Sequence, residues 1–183
     1  MLVEIRFHGR AGQGMVTAAE LLATAAGAEG KYSQAFPVFG SEKRGPPVMS
    51  FCRISDSPIK IYDQISEPDV VVVADPSVLS SVNVAAGLKK GGILIANCSC
   101  NACDLGICDA KVYTVDGTKI ALEHLKRPIF NTVMLGAFIK VTGMVRMDSM
   151  EKAIHEEFGE KDKAIADKNV EVIRACYELT KKE

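Results

Sequence analysis

The chain has 183 residues, 48% of them hydrophobic, which is enough for one compact domain with a substantial core and too few to call for two. Lysine plus arginine (22) balance aspartate plus glutamate (23), no long basic run occurs, and aromatics make up 6% with no Trp. That excludes the electrostatic footprint and the stacking surface expected of a nucleic-acid or membrane-surface binder. No basic and apolar leader opens the sequence and no apolar run reaches a membrane span, so the expectation is a cytoplasmic protein of one domain, residues 1–183.

Taken in order, an apolar run from Leu2 to Phe7 reads as a strand, followed by the glycine-rich segment His8-Gly9-Arg10-Ala11-Gly12-Gln13-Gly14. A helix from Met15 to Glu29 comes next, apolar on most sides with a polar stripe of Thr17, Glu20 and Thr24. Strands follow at Tyr32 to Phe36 and Val48 to Ile54, then at Asp69 to Ala74, where Val70-Val71-Val72-Val73 is the continuous run of a central parallel strand. Asp75-Pro76-Ser77 reads as an N-cap and first turn of a helix.

Further strands are expected at Ile93 to Ile95 and Lys111 to Val115, and a helix at Thr118 to Leu125. The last third is helical: Asn131 to Val145, then Ser149 to Phe158 behind an Asp148-x-x-Glu151 box, then a helix from about Lys163 whose apolar face carries Ile165, Val172, Ile173, Cys176 and Leu179. Alternating strands and helices with a helical end give an α/β fold, a Rossmann-like three-layer domain around a mainly parallel sheet.

Two loops stand out. The spacing Gly9-x-x-Gly12-x-Gly14 reverses the dinucleotide fingerprint, and no acidic residue ends the second strand to hold a ribose, so ordinary NAD binding is not expected. Two readings remain open for these glycines: a tight strand-to-helix turn, or a backbone cradle for an anion at the helix N-terminus. The second loop, Phe36 to Pro47, sets Phe36 and Phe39 beside Lys43 and Arg44. It could hold a phosphate, dock a partner, or be a long surface turn.

Phe7 to Gly14, Gln34-Ala35-Phe36-Pro37, Arg44-Gly45-Pro46-Pro47-Val48 with Arg53-Ile54-Ser55, and Asn131-Thr132 before Leu135-Gly136-Ala137 form an ordered series. With it the chain resembles the gamma subunits of the 2-oxoacid:ferredoxin oxidoreductases, most closely the pyruvate type (pyruvate synthase of anaerobic metabolism). The resemblance implies a share in an enzyme that oxidatively decarboxylates a 2-oxoacid, passes the acyl group to coenzyme A and gives electrons to ferredoxin. It also implies thiamine diphosphate and iron–sulfur clusters, held by alpha, beta and delta subunits or fused equivalents.

The chain itself carries no Gly-Asp-Gly thiamine diphosphate signature, no ferredoxin cysteine run and no Gly-Lys-Ser/Thr phosphate loop. Alone it is not expected to turn over. Its candidate cofactor contacts are Gly9, Arg10, Gly12, Gln13, Gly14, Lys43 and Arg44, where a phosphate of coenzyme A could rest.

Cys98, Cys100, Cys103 and Cys108 depart from the family pattern. Four thiols within eleven residues could bind zinc or an iron–sulfur cluster, or could form a reduced loop or a redox pair. A stand-alone metal-thiolate or redox-sensing module is therefore the rival reading. Cys52 and Cys176 read as core, His8 as a hydrogen-bonded structural histidine, His124 and His155 as solvated, and Asp75 and Asp116 as helix caps.

Overall fold

The computed structural model describes residues 1–38, 47–159 and 162–181. Among these residues six strands, β1 (Leu2–Arg10), β2 (Tyr32–Val38), β3 (Pro47–Ser55), β4 (Val70–Val73), β5 (Ile93–Asn97) and β6 (Lys111–Val115), form one sheet in the order β2-β3-β1-β4-β5-β6. β1, β4, β5 and β6 pair in parallel, while β3 runs antiparallel to both β1 and β2, so the sheet is mostly parallel with one reversed strand. The chain reverses its direction of progress across the sheet at the β1–β4 pair. In open α/β sheets the crevice beyond the strand carboxyl ends at such a point is where ligands bind.

One face of the sheet is covered by α1 (Met15–Ala28) and α3 (Asn131–Thr142), with α4 (Met147–Phe158) packed on α1, α5 (Lys163–Leu179) on α3 and α4, and α2 (Gly117–Leu125) against α5. Strand alternation decides which side chains meet them: Ile5, Phe7, Cys52, Ile54, Val70 and Val72 face this core. Ser50 and Ser33 donate their hydroxyls to the α1 carbonyls of Met15 (2.6 Å) and Ala23 (2.7 Å), seating that helix on β2 and β3. Helix α3 is buried from Asn131 to Ile139, and at Gly136 an added Cβ would stand 2.3 Å from the Ile173 carbonyl oxygen, so α3 and α5 touch backbone to backbone there.

The other face is covered differently. Asp75 caps a single 3-10 turn, Pro76–Val78, and no α-helix follows before β5. The expected helix fails for a physical reason. The Arg6 guanidinium takes the carbonyls of Val84 (3.0 Å) and Ala86 (2.6 Å), and the intervening Ser, Val and Asn residues have weak helix propensity. Val78 and Val84 still bury against Val71, Val73, Leu94 and Ala96, so the third layer exists, built from turns.

Other boundaries moved in instructive ways. β1 runs three residues past Phe7, because His8, Gly9 and Arg10 pair with Met49, Val48 and Pro47. α3 stops at Thr142, ended by the left-handed Gly143. The Asp148-x-x-Glu151 box does not form: α4 begins at Met147, the Arg146 N–H is bonded across the fold by Glu29 Oε1 (2.6 Å), and Glu151 instead receives Arg174 at 2.5 and 2.8 Å. On α5, Ile165 and Leu179 are exposed, and Ala166, Asn169, Val172, Ile173 and Cys176 make the buried stripe.

Candidate functional site

The site is built at the carboxyl ends of β1 and β4. After Arg10 the chain turns through Ala11 to Gly14, with the Gln13 N–H donating to the Arg10 carbonyl at 3.2 Å. The Gln13 side chain folds back: its Oε1 accepts the Arg10 N–H at 2.8 Å and its amide donates to Asp75 Oδ2. Arg10 Nε donates to Ser77 Oγ at 2.6 Å, and Ser77 gives both its hydroxyl (2.5 Å) and its N–H (2.8 Å) to Asp75 Oδ1. Burial pushes the Asp75 pKa up, but the bonds from Ser77 and Gln13 and the Arg10 charge outweigh it, so the carboxyl sits below its ordinary value and is ionised. One closed loop of hydrogen bonds thus ties the glycine turn to the exit of β4.

The three glycines divide their work. Gly9 lies within β1, and a Cβ there would stand 2.6 Å from Met15 Cγ. Gly14 is left-handed (φ 75°) and its open side is filled by Asn131, whose Nδ2 would be 2.8 Å from an added Cβ. Gly12 is left-handed (φ 88°) with open space around its Cα. Two glycines are therefore explained by close packing within the chain and the third by its backbone conformation. Among the described residues no side chain caps the N-terminus of α1, and no acidic residue stands in its first turn, which leaves the positive end of the helix beside Gly14.

Motif residues far apart in sequence converge here. Asn131 packs on Gly14, and the neighbouring Thr132 donates to Asn169 Oδ1 at 2.7 Å, linking the turn to α3 and α5. Asn97, which the sequence reading passed over, donates to the Ala74 carbonyl (2.7 Å) and accepts the Thr118 N–H (3.0 Å), fixing the ends of β4 and β5 against α2. An Asn at the end of an apolar run was its only sequence signal. Asp116 caps α2 through the Lys119 N–H at 2.9 Å, as expected. His8 is buried and accepts the Arg6 Nε–H at 2.9 Å on its Nε2; burial, and then the Arg6 charge, lower its pKa to about 4, so it is neutral and structural.

The second loop resolves in part. Lys43 and Arg44, with Phe39, lie outside the described residues. Phe36 packs on Phe51 (centroids 5.2 Å apart) and under the Arg53 guanidinium (5.2 Å), and Arg53 reaches Glu4 at 2.9 Å and the carbonyl of Asp63 at 2.6 Å. The Gln34, Phe36 and Arg53 motifs are thus one cluster on the face opposite α1, where Gln34 Oε1 lies 3.4 Å from Arg53 Nη1.

The cysteines are not gathered into one set. Cys98 and Cys100 are joined as a disulfide, Cys103 and Cys108 are free and exposed, and among the described residues no three His, Cys, Asp or Glu side chains come together as metal ligands. Cys52 and Cys176 are buried, and burial pushes both thiols up, Cys176 to about 12.

This arrangement is a strand–turn–helix at the switch point of a mostly parallel sheet. The family model for pyruvate ferredoxin/flavodoxin oxidoreductase matches residues 4–179. The pyruvate synthase subunit PorC of Methanothermobacter marburgensis is 54% identical over 180 residues, covering 98% of each chain. The pyruvate/ketoisovalerate oxidoreductases common subunit gamma of Thermococcus litoralis is 53% identical over 98% of this chain and 97% of that one. Among solved structures, a pyruvate oxidoreductase subunit of Thermotoga maritima superposes with a TM-score of 0.86 at 41% identity, covering 98% and 97% of the two chains. A 2-oxoglutarate:ferredoxin oxidoreductase of Magnetococcus marinus, with 2-oxoglutarate, coenzyme A and succinyl-CoA bound, shares the fold over all of this chain and 32% of its own (TM-score 0.80, 20% identity).

The chain belongs to the pyruvate ferredoxin/flavodoxin oxidoreductase family. Within it, the chain is of the gamma-subunit type, part of a multi-subunit oxidoreductase, and the stand-alone module is not favoured. No helix among the described residues is long and apolar enough to cross a membrane.

Proposed function

We propose that the chain is the gamma subunit of an enzyme that oxidatively decarboxylates pyruvate or a close 2-oxoacid, transfers the acyl group to coenzyme A and gives the electrons to ferredoxin. The observation that carries this reading is end-to-end similarity above 50% to subunits named for pyruvate. The Thermococcus relative is named as common to a pyruvate and a ketoisovalerate enzyme, which supports a subunit that does not itself select the 2-oxoacid.

Thiamine diphosphate and iron–sulfur clusters belong to alpha, beta and delta partners or their fused equivalents. Among the described residues no three His, Cys, Asp or Glu side chains converge as a cluster site in this chain. Coenzyme A fits better. When bound it supplies the thiol that accepts the acyl group. The uncapped N-terminus of α1, with the turn at Gly12 to Gly14 and Arg10 at its rim, offers N–H donors and positive charge to one of its phosphates. Lys43 and Arg44 are proposed as further phosphate contacts.

The test is anaerobic affinity purification from the host, identification of the co-purifying chains by mass spectrometry, and assay of the complex for pyruvate- and coenzyme A-dependent ferredoxin reduction. Thiamine-binding and ferredoxin-like subunits should come with it, and a chain that emerges alone overturns the assignment. In that complex Arg10→Ala and Arg44→Ala should each raise the KM for coenzyme A about tenfold with the pyruvate KM unchanged, as expected for loss of a charged hydrogen bond. An unchanged KM in both variants rejects the placement of the phosphate.

A further inference from the structure

The cysteines between 98 and 108 take no part in the reading above. The disulfide joins residues only two apart in sequence. A bond that closes so short a loop removes little freedom from the unfolded chain and adds little as a staple. Nor does it anchor a core element: no residue of the following 3-10 turn, Ala102–Leu105, is buried, and Cys98 is only half-buried at the edge of the smaller apolar cluster. What the bond has is access. Cys98, Cys100 and the free thiol of Cys103 line one groove of about 1060 Å³, bounded by Val112, Lys119 and Ile120.

The two bonded sulfurs differ in surroundings. The Cys100 N–H donates to Cys98 Sγ at 3.0 Å. A hydrogen bond of this kind favours the thiolate over the thiol, and the sulfur better able to carry charge is the better leaving group in exchange. We propose that the groove is a thiol–disulfide exchange site for a low-molecular-weight thiol, with Cys100 the sulfur attacked and Cys98 the sulfur that leaves.

The incoming thiolate forms a bond to Cys100 Sγ as the Cys98–Cys100 bond breaks, and the electron pair departs on Cys98 Sγ beside the Cys100 N–H. A second equivalent of the same thiol attacks the mixed disulfide at the small-molecule sulfur. That releases the Cys100 thiolate, and both protein sulfurs are then protonated from solvent. The balance is two thiols oxidised to one small disulfide and one protein disulfide reduced to two thiols. In reverse, the small disulfide recloses the bond through the same mixed disulfide on Cys100.

The inference does not depend on the coenzyme A placement, and its test uses the full chain with glutathione as the probe. The chain is reduced, freed of reductant under argon, equilibrated in graded ratios of reduced to oxidised glutathione, quenched in acid, alkylated and mapped by tandem mass spectrometry. The Cys98–Cys100 bond should open and close reversibly across the series. Cys98→Ser should accumulate a glutathione adduct on Cys100 at least tenfold over the unaltered chain, because the internal thiolate that expels it is gone. The Cys103→Ser, Cys108→Ser double variant should exchange as the unaltered chain does.

Two results overturn the proposal. One is Cys98 and Cys100 remaining thiols at every ratio while adducts form on Cys103 or Cys108. The other is zinc or iron retained in the natively purified chain and shielding all four thiols from alkylation. The titration of the unaltered chain decides by itself should the Cys98→Ser variant fail to fold.

Discussion

The two faces of the sheet solve the same problem with different chemistry. The helical face satisfies most of its backbone polar groups inside helices, so what remains for α1, α3, α4 and α5 is mainly apolar packing, taken at Gly136 to backbone contact. The opposite face is covered by segments without α-helices, whose carbonyls need partners that the segments cannot supply. Two buried arginines supply them. Arg6 binds the carbonyls of Val84 and Ala86, and Arg53 those of Ile61 (3.3 Å) and Asp63. A guanidinium with five donors and a fixed geometry suits this task, and Arg53 offsets its charge against Glu4 at 2.9 Å. The difference teaches where each face is vulnerable: one to volume, the other to loss of a donor or gain of a charge.

Gly136→Ala probes the first face and should have the largest effect. Its Cβ would meet the Ile173 carbonyl at 2.3 Å, and that atom is backbone, so α3 and α5 must separate. We expect a loss of more than about 3 kcal/mol, read by urea unfolding, with the far-ultraviolet signal of the native baseline retained. Arg53→Met probes the second. It keeps the volume and removes every donor, leaving the carbonyls of Ile61 and Asp63 without their partner and Glu4 with Lys89 at 3.8 Å, at a cost of about 3 kcal/mol. The two variants should differ in hydrogen exchange: Arg53→Met frees residues 56–68 first, whereas Gly136→Ala loosens α3 and α5. Equal protection loss on both faces in either variant would show that the faces are not separable.

The same contrast governs what the sequence could reveal. Periodicity read the helical face well. The Val70 to Val73 strand, the greasy α1 and the buried α3 all follow from apolar spacing, and β6 falls at its expected bounds. It misread the loop face, because Asp75-Pro76-Ser77 is a sound helix start whether one turn follows or four, and the deciding partner, Arg6, lies on β1, 78 residues before the Val84 carbonyl it takes. The α4 start failed for the same reason, its N-terminal N–H being satisfied by Glu29, the residue that follows α1. At the site, the glycine turn and the Asp75 cap were legible as local chemistry. That Gln13 bonds Asp75, that Asn131 fills the space Gly14 leaves, and that Gln34 and Phe36 meet Arg53 were not, since each joins residues whose proximity only the fold creates.

Between pH 7 and 5 acid should act first on the loop face, through His8. The imidazole is 2% exposed and its Nε2 accepts from Arg6, so a proton there breaks that bond and sets two cations side by side. Its folded pKa is lowered to about 4 from an ordinary 6.5, first by burial and then by Arg6. The unfolded chain therefore binds the proton first. The stability is fully present above about pH 6.5 and is lost progressively as the pH falls from there toward 4, amounting to about 2 kcal/mol between pH 7 and 5. His8→Gln, whose side-chain oxygen can still accept from Arg6, should remove that slope and leave the stability at pH 7 within about 1 kcal/mol. Urea midpoints measured from pH 7 to 5 decide it. A slope that persists unchanged in the variant would place the acid-sensitive group elsewhere, and His8 would then be no part of what holds residues 76–90 to the sheet.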